Sequence, residues 1–111
     1  MDVLSIYERV NFTHPMDQNS FFSYLTDAIG ELVSFYGEKY VFFKPDHTVI
    51  SSLDDGLNIF PHYESALVDD VLFYATHDAN RKTDFTSKAQ MAYHTVWKII
   101  NHGKRIRKDK W

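Results

Sequence analysis

From Asp17 to Gly37 the chain reads DQNSFFSYLTDAIGELVSFYG, and no other stretch limits the fold as tightly. Phe21, Leu25, Ala28, Leu32 and Phe35 recur every three or four residues, the repeat that lines one face of an α-helix. Phe22, Ile29, Val33 and Tyr36 widen that face. Asp17 suits the N-cap, because its carboxylate can accept from the free N–H groups of the first turn. Met16 and Phe21 stand at the N′ and N4 positions of a hydrophobic staple. Gly37 supplies the stop. A helix over 18–36 with so broad an apolar face needs partners on two sides, which requires a bundle.

The rest of the chain offers those partners. Val3, Leu4, Tyr7 and Val10 predict a short helix over 2–10, broken by NFTHPMD, since Pro15 disfavours helix at His14. Pro61 suits the first turn of another helix, on which Tyr63, Leu67, Val71 and Tyr74 make a stripe with Ala66, Val68 and Ala75 beside it. That helix should end near 77–80. DANRKTD reads as the next turn. Thr83 or Asp84 then caps a last helix with Phe85, Ala89, Ala92, Val96 and Ile99 or Ile100 on its apolar face, and Gly103 as its stop.

Residues 38–60 change period. KYVFF, HTVI and LNIF are β-rich runs, and Asp55-Gly56 is a turn signal. They predict two or three short strands, with TVI and NIF paired in an antiparallel hairpin. The expected fold is therefore mainly α: a bundle of three to four helices with a short hairpin inserted around 47–60. Leu25, Leu32, Leu67, Val71 and Val96 are its expected core. Gly30, inside the best helix, costs about 1 kcal/mol relative to alanine and suggests a close helix–helix approach. The domain is expected to span 1–103, with 104–111 as a basic tail.

Composition excludes several classes of function. The 111 residues suffice for one domain, and 44% hydrophobic content argues against a disordered chain. With no cysteine there is no disulfide, no Cys-ligated zinc and no thiol chemistry. No apolar run approaches the length of a membrane span, and MDVLSIYERV lacks the layout of a signal peptide. Synthesis in the cytoplasm follows, and the sequon at Asn11 is read as chance. Histidines at 14, 47, 62, 77, 94 and 102 show no paired-ligand spacing, and Asp69, Asp70 and His77 read as a solvated polar face. DANRKTDFTSKA lacks the sixth-position glycine and twelfth-position glutamate of a calcium loop. No phosphate loop or nucleophile elbow occurs. The expectation is a protein without catalytic residues, metal or cofactor.

Charge is the remaining signal. Residues 1–80 hold 13 acids and 3 bases, whereas residues 81–111 hold 9 bases and 2 acids. Lys104, Arg105, Arg107 and Lys108 precede a terminal Trp111, a combination that suits docking on a charged partner. The partner is either an acidic protein surface or the phosphates of a nucleic acid.

Three passages carry a resemblance. DDGLNIFPHYESALVDDVLFYAT places an extended segment before a proline and a helix that opens with tyrosine. HDANRKTDFTSKAQMAY places an Asp/Asn-rich hinge before a phenylalanine and a helix carrying alanine and tyrosine. With VLSIYERVN at the start, the chain resembles the head–tail connector (adaptor) proteins of tailed phages, a likeness of pattern that spans most of its length. The tail here is longer and more charged than that pattern requires. The resemblance implies a structural protein of a phage or prophage virion, made in the bacterial cytoplasm. It implies a homo-oligomeric ring, commonly of twelve copies, below the portal protein. Such a ring extends the DNA channel, with weak contact to the DNA, and offers a surface to a neck or tail completion protein. A head-to-tail ring would also bring acidic and basic halves together. The alternative is a small nucleic-acid-binding regulator that uses the basic last helix and tail, against which the acidity of residues 1–80 counts.

Overall fold

The computed structural model describes residues 1–44 and 50–109, with side chains as far as His102. Five α-helices follow in order: α1 (Val3–Thr13), α2 (Gln18–Tyr36), α3 (Glu38–Val41), α4 (Glu64–Thr76) and α5 (Ala79–Asp109). A 3₁₀ turn, Pro61–Tyr63, leads into α4. The mainly helical class expected from periodicity is what the chain adopts.

α4 is the centre. Every residue from Ala66 to Leu72 is buried, and α1, α2 and α5 all pack against it. A helix buried all round has no solvent face. α2 begins and ends where its caps dictate. The Asp17 carboxylate accepts from the Ser20 N–H at 3.1 Å, a bond that holds its pKa below the ordinary value. Gly37 takes φ +83°, which L side chains rarely adopt. Leu25, Leu32, Leu67, Val71 and Val96 are all fully buried. Phe35, the last residue of the α2 stripe, is instead 64% exposed, and the buried residues of α2 are Phe21, Leu25, Ala28 and Leu32. In α1 the inward face is Val3, Ile6 and Val10, and Leu4 turns outward.

The hairpin expected around 47–60 is not formed among the described residues; Thr48 and Val49 lie outside them. No strand occurs there, only isolated bridges. Ile59 bridges Phe42, flanked by Phe43 N–H to Asn58 C=O and Phe60 N–H to Val41 C=O, both 3.0 Å. Gly56 bridges Asp2, with Leu57 N–H to Met1 C=O at 2.9 Å and Val3 N–H to Asp55 C=O at 3.1 Å. The alternation that suggested a strand is real, since Leu57 and Ile59 point inward. Their backbone partners come from the start of α1 and the end of α3 instead of a neighbouring strand. The turn centres on Leu53-Asp54, two residues before Asp55-Gly56. The Asp55 carboxylate accepts from Ser51 and Ser52 N–H groups, and its own N–H donates to Ser52 C=O. The first β-rich run begins as the helical turn α3, with Phe42 N–H bonded to Glu38 C=O at 2.9 Å.

Both ends of α5 depart from expectation. The helix starts at Ala79, because Asp78 Oδ1 accepts from the Asn80 N–H at 3.0 Å and caps it ahead of Thr83 and Asp84. At the other end it runs through Gly103 to Asp109. A glycine ends a helix when it turns left-handed; otherwise it is tolerated at about 1 kcal/mol. The basic residues that follow suit the negative end of a helix dipole. Gly30 is exposed, and a Cβ built there meets nothing within 4 Å, so the close helix approach suggested for it is absent.

Candidate docking interface

The α4–α5 seam is a row of charges. Asp69 and Asp70 stand side by side on α4, 2% and 0% exposed. The Asp69 carboxylate accepts from Arg81 at 3.2 Å and from Lys88 at 2.6 Å. Asp70 Oδ1 accepts from Lys82 at 3.1 Å. Lys82 also donates to Glu31 of α2, as does the Tyr74 hydroxyl. The Lys82 ammonium lies over the rings of Phe85, Phe73 and Tyr74 at 4.9, 5.0 and 5.5 Å. The polar face expected for Asp69 and Asp70 is thus not solvated. Both carboxyls are enclosed, and cations from α5 offset part of the cost. His77, the third residue of the expected face, caps α4 in a left-handed conformation and is exposed.

These contacts shift protonation. Burial raises the Asp70 pKa to about 7, with Glu31 adding to the rise and Lys82 opposing it. Burial also pushes Glu31 upward, but hydrogen bonds to Asp70, Lys82 and Tyr74 outweigh it and hold Glu31 below its ordinary value. Burial lowers Lys82, and its two carboxylate partners more than reverse this.

The seam changes how the charge asymmetry is understood. Arg81, Lys82 and Lys88 belong to the basic C-terminal third, yet their counter-charges are acids of the same chain. The later bases of this third, Lys98 and then Lys104, Arg105, Arg107 and Lys108, follow along α5. Residue types alone carried a signal for this seam: the Asp69-Asp70 doublet, set in an apolar helix, precedes the Arg81-Lys82 doublet by twelve residues at each position.

Of the expected docking residues, Lys104, Arg105, Arg107 and Lys108 fall on the helical backbone of α5, and their side chains lie outside the described residues, as does Trp111. What holds the base of this segment is described. Asn101 is buried, donating to Trp97 C=O at 3.0 Å and to the Tyr40 hydroxyl at 3.4 Å. Around it apolar surface reaches solvent: Ile99 is 55% exposed, Phe43 47% and Trp97 39%. A groove of about 460 Å³ opens there, lined by Phe42, Phe43, Phe60 and Ile100 with Lys39 and Lys44. On another side, Phe12 near the end of α1 is 94% exposed beside a groove that reaches Leu72 and Lys88.

Histidines 14, 62, 77, 94 and 102 are all exposed, and His47 lies outside the described residues. Among the described residues, no three His, Cys, Asp or Glu side chains gather as metal ligands, and no helix is long and apolar enough to cross a membrane. No protein-family model, curated protein or solved structure matches the chain.

Proposed function

We propose that this chain is a structural, non-catalytic subunit of a phage or prophage head–tail connector. It assembles into a ring below the portal and docks through the basic end of α5. One observation carries the reading. α5 is 31 residues, about 46 Å at 1.5 Å per residue, against about 20 Å for the 13-residue α4 beneath it. The helix continues past Asn101 into the basic stretch of the sequence, and Trp97 and Ile99 just before it are exposed. A stiff cationic rod with apolar surface at its base suits a protein partner: charge orients the encounter and buried aromatic surface slows release. The exposed Phe12 lies at a different place from this rod, and two unlike sticky surfaces suit a head-to-tail ring.

The test is attachment of the purified protein to portal-bearing capsids. Deleting residues 104–111 should leave the helical fold intact and abolish attachment. Trp111→Ala alone should weaken it strongly if the partner is protein. If the partner is DNA, Lys104→Ala or Arg105→Ala should matter more than Trp111→Ala, and affinity should fall steeply with salt. Normal attachment after the deletion would reject the proposal.

A further inference from the structure

The cluster of Glu31, Asp70, Tyr74 and Lys82 contains an imbalance that hydrogen bonding by the described residues does not resolve. Asp70 is 0% exposed, and its Oδ2 meets no hydrogen-bond donor among them. A buried carboxylate oxygen without a donor is costly, and its neighbours explain how the cost is avoided. Lys82 Nζ donates to Glu31 and, at 3.1 Å, to Asp70 Oδ1, so the two carboxyls stand side by side on one ammonium. Two ionised carboxylates offer each other only acceptors; one proton between them makes one a donor. Glu31 already accepts from Tyr74 and Lys82, which favours its ionised form. The proton therefore sits on Asp70.

We infer that Glu31 and Asp70 share one proton beside Lys82, and that this proton is a pH-sensitive latch joining α2 to α4 and α5. With the proton in place the cluster holds one anion and one cation and is neutral. Without it the cluster holds two carboxylates and one ammonium, a net negative charge with the Asp70 carboxylate fully buried. The charged groups facing Asp70 are Glu31 from α2 and Lys82 from α5. Asp69, the adjacent residue on α4, is taken up by Arg81 and Lys88, and Arg9 of α1 is paired with Glu64. The direction of the Asp70 shift agrees with this geometry. Its proton is held in the folded chain to about pH 7 but in the unfolded chain only to its ordinary 3.8. The folded state thus binds more protons across that interval. The stabilisation is fully present below the lower value and is lost as pH rises through the upper one.

The experiment is a carbon-13 titration of side-chain carboxyls in the full chain, with thermal unfolding alongside. The Asp70 carboxyl should titrate near pH 7. In Glu31→Gln, with the competing carboxylate gone and Lys82 retained, it should titrate lower than in the wild type, with the part of the rise that burial causes remaining. The melting temperature of the wild type should fall between about pH 4 and 7 and level off above that. Asp70→Asn supplies a permanent donor in place of the proton, and it should show a shallower decline over the same interval, separating this group from the exposed histidines. An Asp70 carboxyl already ionised at about pH 5.5 would overturn the inference, and that reading needs only the wild-type protein. So would an Asp70→Asn variant that keeps the full wild-type slope.

Discussion

At the scale of single residues, burial and backbone conformation make opposite demands on two positions. Leu67 is fully buried at the centre of α4, where its side chain meets helices on several sides. Truncation there removes apolar contact and leaves a void that surrounding helices fill only in part. Leu67→Ala should lower unfolding free energy by about 2–5 kcal/mol, measured by urea denaturation at constant pH. Gly30 is the converse. It lies in the middle of α2, exposed, with open space where a Cβ would sit. Nothing in its packing repays the conformational freedom that glycine loses in a helix. Gly30→Ala should raise stability by about 0.5–1 kcal/mol in the same assay. Gly37 carries no such opportunity, because its φ of +83° is what lets α2 stop and α3 begin.

At the scale of elements, α5 shows how local signals compete. Three residues near its start can cap a helix: Asp78, Thr83 and Asp84. The first in the chain prevails, since the left-handed His77 ends α4 and turns the backbone so that Asp78 Oδ1 reaches the Asn80 N–H. Thr83 and Asp84 are then helical, and the Thr83 hydroxyl donates back to Ala79 C=O at 3.2 Å. Starting at Ala79 also places Arg81 and Lys82 opposite Asp69 and Asp70. Asp78→Ala should cost about 1 kcal/mol and increase hydrogen exchange in the first turn of α5, with the exchange of α2 unchanged. An equal rise in exchange across the whole chain would mean that Asp78 does more than cap.

At the scale of the molecule, the arrangement around α4 decides which surfaces are free. α4 is buried from Ala66 to Leu72, so the outward faces of α1, α2 and α5 make up much of the protein surface. Those faces are not uniformly polar. Phe12, Phe35, Met91 and Ile99 each expose more than half their area, from three different helices. Scattered single exposures are ordinary in a monomer, but Ile99 and Trp97 lie at the root of a helix that outruns its support. The principal extents of 55 × 29 × 21 Å reflect this length. The acidic and basic parts of the chain meet first within the molecule, at the Asp69–Arg81 and Asp70–Lys82 pairs. Lys39 and Lys44, in the groove beside Ile100, and the bases of α5 after Lys88 lie outside that seam.

The sequence by itself determined the helical class, the bounds and caps of α2, and the five core positions on α2, α4 and α5. Each depends on residues within a turn or two of one another, where helical spacing and capping chemistry act. It did not determine what Ile59 and Gly56 pair with. A strand-like run states only that backbone groups need partners, and Phe42 and Asp2 were brought there by the path of α1 and α3. Nor did it determine that Asp69 and Asp70 are enclosed. An acid on a helix is assigned to solvent until a cation from elsewhere is placed against it, and Arg81, Lys82 and Lys88 arrive only when α5 folds back along α4. Tertiary structure decided both because pairing and desolvation depend on which distant residues come to share a site.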